Sequence, residues 1–275
     1  MDLPDEPRLR WIISQAAALL ERGAKPASGL VLPTPEFFPD RFDGTQRAIA
    51  ALLERIVEHA GLAGTNVAPR RVAPGGEAPA TSCGSGGCCG DATAGAALER
   101  VVRGDDGSYE VAIDLGEVRN PIVLTTTLAR SAAWIFLTEA DARAAAPDDP
   151  EALADLTAVL LGFGVLLANG SYIYRKGCGG VQVGSATAMT VDELAVALAI
   201  FCRLHDMLPR AARKHLDPTP AAYFDKANDW AASNAAVLKA LATDPASLRG
   251  GDFAMQPARG WLGRLFGGGG TARVR

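Results

Sequence analysis

Glu151 and Asp155 stand four residues apart in "PEALADL", which puts two carboxylates on one face of a helix, within the first turns of an otherwise apolar run. Carboxylates in that position can ligate a metal ion or hold a cationic side chain. Upstream, "LARSAAWIFL" carries a second oddity. Arg130 and Trp134 are also four apart and project together, with Ser131 beside them, and without these three residues the stretch is an unbroken apolar helix. Thiols form a third group: Cys83, Cys88 and Cys89 crowd into "SCGSGGCCG", and Cys178 sits in "KGCGG".

Three neighbouring thiolates could bind zinc or copper(I), or contribute to an iron–sulfur cluster with Cys178 as a fourth ligand. Their spacing is not that of a zinc finger, and adjacent cysteines do not readily ligate one ion together, so a redox-sensitive thiol loop is the competing reading. Cys202 lies in an apolar helical run and reads as a small buried hydrophobe. His59, His205 and His215 do not pair at helical spacing and read as helix-end surface or capping residues. Near the C-terminus, Trp261, Leu262, Arg264, Leu265 and Phe266 have the composition of a short basic, aromatic docking peptide for a partner's groove or an anionic membrane surface, or of a frayed tail. The glycines around them do not follow a strand and open a helix, as a phosphate loop would.

Periodicity supplies the elements that must hold these groups. Helical spacing runs from Arg8 to Arg22 and from Thr45 to Ala60, each run ending at a glycine. Between them "GLVLP" reads as a short strand, and "PTPEFFPDRFDGT" as a rigid connection whose phenylalanines lie down on the core. Residues 74–95 lose all periodicity and form a Gly/Cys-rich loop insertion. Two short strands flank Gly104-Asp105-Asp106-Gly107, a hairpin signal. Helices follow from Pro121 to about Ala145, Asp149 to about Ala168, Thr190 to about Met207 and Pro220 to about Ala242, with a loop or short hairpin over 169–183. From Gly250 onward the chain has four arginines and no acid after Asp252, and reads as a flexible basic tail.

The fold class implied is α+β: a mainly helical body with a small antiparallel sheet, in one domain over residues 1–249. With 275 residues, 48% of them hydrophobic, there is enough apolar surface for one sizeable core. A net charge of −4 argues against a protein that coats nucleic acid. The N-terminus begins with acids and a proline where a secretory signal would be basic and then apolar, which places the chain in the cytoplasm, where thiols stay reduced. The strictly apolar part of "LTAVLLGFGVLLANGSYIY" is residues 158–168, short of the roughly 20 that a bilayer needs, so a buried helix is expected and not a transmembrane segment.

The order "NPIVLTTTLARSAAWIFL…PEALADLTAVLLGFGVLLAN" resembles the two core helices of a zincin-type metallopeptidase of the gluzincin kind, and more closely a bacterial zincin-like family of unassigned function. In such proteins an H-E-x-x-H helix gives two imidazoles to zinc and a glutamate base, and the next helix gives a third ligand and a carboxylate that orients an imidazole. Carried onto this chain, the resemblance puts Arg130 and Trp134 at the histidine positions, Ser131 at the base, Glu151 at the third ligand and Asp155 at the orienting acid. Arginine has no lone pair to give, the indole nitrogen only donates, and serine is no base at neutral pH.

The resemblance therefore implies a zincin-like two-helix core whose catalytic positions are degenerate, with no metal expected there. The guanidinium of Arg130 would take the space of the missing ion and pair with Glu151, Asp155 or both, while Trp134 fills volume. The plainer alternative is that Arg130 reaches solvent at a helix edge and Glu151 is an ordinary first-turn acid. The implied function is a pseudoenzyme retained as a binding, assembly or regulatory subunit, meeting a protein partner through the former active-site groove or the C-terminal tail. Two alternatives stay open: a metal or redox protein built on the cysteine loop, and a metal-dependent hydrolase with non-standard ligands.

Overall fold

The computed structural model describes residues 2–72, 100–142, 148–177 and 180–257. Helix α1 (Glu6–Glu21) starts where the Asp5 carboxylate accepts from the Arg8 N–H, and α2 (Gln46–His59) where the Thr45 hydroxyl accepts from the Ala48 N–H. A three-stranded sheet follows, from β1 (Val67–Val72), β2 (Val101–Arg103) and β3 (Tyr109–Asp114). Its order is β1-β3-β2. The β2–β3 hairpin turns at the expected Gly104–Gly107 segment.

This sheet corrects the expectation in two respects. It is mixed, because β1 pairs parallel to β3 from Val67↔Tyr109 to Val72↔Asp114. "VAPRRV" gave no strand signal, since Pro69 and two arginines are residues of an exposed edge. Conversely, "GLVLP" is no strand. It is an irregular segment that donates the Val31 N–H to the Gly162 carbonyl at 2.9 Å.

Two apolar helical passages form the centre. Helix α3 (Pro121–Glu139) is capped by the Asn120 side chain and begins with proline, which suits a first-turn position. Helix α4 (Pro150–Ala158), capped by Asp149, passes through a π turn at Val159–Phe163 into α5 (Gly164–Gly170). By length and composition alone both passages could cross a membrane. The passage from Pro150 to Gly170 runs 21 residues, longer than its strictly apolar stretch, yet 94% of its most apolar window is buried inside the protein, against 72% for α3. Both are core helices here.

Glycine makes their close contact feasible. A Cβ on Gly170 would lie 2.2 Å from the Thr126 Oγ1, and that hydroxyl donates to the Leu166 carbonyl at 3.1 Å. Gly162 adopts φ 105°, and a Cβ there would meet the Gly29 carbonyl oxygen at 2.2 Å.

A hairpin, β4 (Ile173–Gly177) with β5 (Gly180–Gly184), leads to α6 (Val191–Leu204). After α7 (Pro209–Arg213), α8 (Pro218–Ser233) packs along α6, and α9 (Ala235–Thr243) completes the body. The helix expected to run on to Ala242 is broken at Asn234. Part of the expected flexible tail is held in place. Arg10 donates to the carbonyls of Gly251 (2.8 Å) and Phe253 (2.5 Å), and Asn234 exchanges hydrogen bonds with the Gln256 backbone.

Candidate functional site

The sequence singled out five residues on two helices, and the fold brings three of them into contact. Arg130 stands in the middle of α3 with only 4% of its surface exposed, which rules out the solvent-reaching alternative. Its Nη2 donates to the Glu151 Oε2 at 2.7 Å, its Nε donates to the Asp155 Oδ1, and its Nη1 donates to the Ala186 carbonyl at 3.2 Å. All three nitrogens of the guanidinium are thus engaged.

Asp155 is fully buried. Besides Arg130 it accepts from two consecutive backbone amides, Ala188 (2.7 Å) and Met189 (2.8 Å), both to Oδ2. Burial is the largest influence on its carboxyl and pushes it above its ordinary value, while the guanidinium and the two amides pull the other way. Glu151 lies in the first turn of α4 and keeps 21% of its side chain exposed, so it is the one member of the ion cluster that faces outward.

Ser131 and Trp134 complete the face. The Ser131 hydroxyl is buried and donates to the Thr127 carbonyl one turn back, at 2.9 Å. Bound in this way, it is positioned as a helix-internal donor. The Trp134 side chain is almost wholly buried and fills the volume one turn beyond Arg130.

These positions do not fit a zinc ion. At Arg130 and Trp134, the positions that the resemblance to zincins aligns with imidazoles, there are a guanidinium without a lone pair and an indole that can only donate. The carboxylates opposite are already paired with that guanidinium. Among the described residues no group of three or more His, Cys, Asp or Glu side chains is placed to hold a metal. The histidines lie elsewhere. The His59 ring nitrogens contact the Ser28 hydroxyl and the Phe37 carbonyl, His205 packs on Phe201, and the His215 Nε2 is buried with no hydrogen-bond partner among the described residues. Cys202 is buried, and burial pushes its thiol up to about 12. Cys83, Cys88, Cys89 and Cys178 lie outside the described residues, as do Trp261, Leu262, Arg264, Leu265 and Phe266.

Part of the site gave no warning in the sequence. The 185–190 loop closes over Asp155 with its backbone, and backbone donors leave no mark on residue type. Arg8 of α1 was also missed. It donates to Asp149 at 2.9 Å and to Glu193 at 2.5 Å, so it ties together the N-terminal ends of α4 and α6 beside the cluster. A signal for half of this existed: Thr190 and Glu193 form a capping box, the S/T-x-x-E pattern that opens a helix.

The arrangement can fix a loop and two helices around an internal cation. Its chemistry is limited to pairing and hydrogen bonding, because no described residue of the cluster is a free base or nucleophile. Comparison with family models, with curated proteins and with solved structures finds no match to this chain.

Proposed function

We propose that this protein is a non-catalytic, zincin-like pseudoenzyme that serves as a binding, assembly or regulatory subunit. The observation that carries the reading is the Arg130 guanidinium bridging Glu151 and Asp155, a permanent cation where the resemblance calls for a bound one. A base position held by a serine that already donates to its own helix is in keeping with a site that performs no hydrolysis. With Arg130, Asp155 and Trp134 packed away from solvent, a partner would meet outer surfaces of the protein, and the segment from Trp261 to Phe266 is one candidate for that contact.

Elemental analysis of the full chain, purified without metal affinity and with Cys83, Cys88, Cys89 and Cys178 changed to serine, tests this reading. Zinc far below one ion per chain is expected. One zinc per chain that persists in this variant and is lost on Glu151→Gln would overturn it in favour of a metal-dependent hydrolase with non-standard ligands. Zinc or iron bound by the wild-type chain and lost with the cysteines would instead favour the metal or redox reading of that loop.

A further inference from the structure

The aromatic, proline-rich segment 33–45 has no part in the Arg130 cluster, yet it walls a cavity. Together with α2 and the first turn of α3 it lines a half-open cleft of about 420 Å³, a size within the range of small-molecule sites. Most of the wall is apolar, from Pro35, Phe38 and Phe42 on one side to Leu52 and Leu124 on the other. Phe42 is among the larger apolar side chains left exposed, at 36%.

Charge in the wall is unbalanced. Arg55 is satisfied by Asp40 at 3.1 Å and Glu58 at 3.0 Å. Arg41, in contrast, makes no hydrogen bond or ion pair among the described residues. Its charge is the smallest of the influences that lower the Asp43 carboxyl. The N-terminal end of the 19-residue α3 opens into the same cavity at Pro121 and adds the positive end of its dipole. A polar atom in the wall is also unsatisfied: the Thr34 hydroxyl oxygen is buried with no hydrogen-bond partner among the described residues.

We propose that this cavity binds a small carboxylate with an apolar body, an arylalkanoate or a medium-chain acyl carboxylate. The body would lie between Phe38, Phe42 and Leu52, and the carboxylate would face Arg41 at the rim. An apolar cleft edged by a guanidinium that has no partner among the described residues favours that chemistry over a neutral or cationic ligand, because the head gains charge-assisted hydrogen bonds while the body leaves water. The site is separate from the Arg130 cluster and does not depend on the pseudoenzyme reading.

Octanoate and naphthalene-1-acetate, each against its alcohol counterpart, are the probes, titrated into the full chain by calorimetry and saturation-transfer NMR. Saturable one-to-one binding of at least one acid is expected, with its alcohol several-fold weaker. Arg41→Gln is expected to weaken the acid roughly three- to tenfold, as befits an exposed ion pair, and to leave the alcohol unchanged. Ala48→Trp, which fills the chamber from α2, is expected to abolish both. Phe42→Ala, at an exposed position, serves as a second variant if Ala48→Trp unfolds, and should weaken both. No saturable binding of either acid would overturn the proposal, and so would acids that bind no better than alcohols, or binding unaffected by the cavity variants.

Discussion

Arg130 is the residue whose loss the core can least absorb. Its three nitrogens serve two carboxylates and a carbonyl, and one of those carboxylates is fully buried. Removing one partner of a buried ion cluster leaves the other uncompensated, which typically costs about 3–5 kcal/mol. Arg130→Met should lower the unfolding free energy by an amount in that range, read as a lower urea midpoint at an unchanged slope. Arg130→Lys should lie between the two, because a single ammonium cannot span Glu151, Asp155 and the Ala186 carbonyl as a planar fork does. A midpoint unchanged by Arg130→Met would show that the cluster contributes nothing to the fold. Helical spacing puts Arg130 on one face of its helix and Glu151 with Asp155 on one face of the next; that the two faces meet follows in the sequence only from the resemblance to zincins. The depth of the contact is not legible there, because the amides of Ala188 and Met189 that bury Asp155 belong to a loop whose side chains say nothing about where its backbone points.

At the scale of elements, the pairing of α3 with the α4–α5 passage rests on one glycine, Gly170, as well as on large apolar side chains. Gly170 touches Thr126, and an added methyl would lie 2.2 Å from its hydroxyl oxygen and 2.7 Å from its Cγ2. Gly170→Ala should therefore destabilise by more than the roughly 1 kcal/mol favour that alanine ordinarily enjoys in a helix. Thr126→Ala in the same chain should recover part of the loss, and the coupling between the two changes should exceed about 0.5 kcal/mol in a double-mutant cycle. Additive effects would mean that the helices are not in contact there. Sequence periodicity placed most of the helices, since an apolar stripe is a strong signal. It failed for β1 and for "GLVLP", where the outcome is set by partners far along the chain: β3 recruits a polar edge strand, and the Gly162 carbonyl takes the one amide that "GLVLP" offers it.

For the whole molecule, stability should depend on pH in part through His205 and His215, whose rings the fold shields only partly from water. Burial lowers His205 below its ordinary value of 6.5, with Asp206 opposing, and burial lowers His215 likewise, with Lys214 adding to the effect. A depressed value means that the unfolded chain takes up protons first as pH falls. The contribution of these groups is therefore complete above about pH 6.5 and lost as pH falls from there through the folded values. Asp155, whose raised value favours the fold at lower pH, acts in the opposite sense, so the histidine contribution is read as a difference: between about pH 7.5 and pH 5.5 the urea midpoint of His215→Gln should fall less, or rise more, than that of the wild type. Parallel pH profiles for the two proteins would contradict the assignment. Arg8 links α1 to the starts of α4 and α6, and Asn234 holds Gln256.

The central claim is that Arg130 stands where a metal ion would otherwise be bound, and rebuilding the ligands tests it most directly. Arg130→His, Ser131→Glu and Trp134→His together restore two imidazoles one turn apart with a glutamate between them, opposite Glu151. The measurement is zinc per chain in the refolded and dialysed triple variant, with the four cysteines at 83, 88, 89 and 178 changed to serine in both it and the control. The account predicts about one zinc per chain in the variant and only traces in the control that retains Arg130. A triple variant with native-like circular dichroism that takes up no zinc would contradict it.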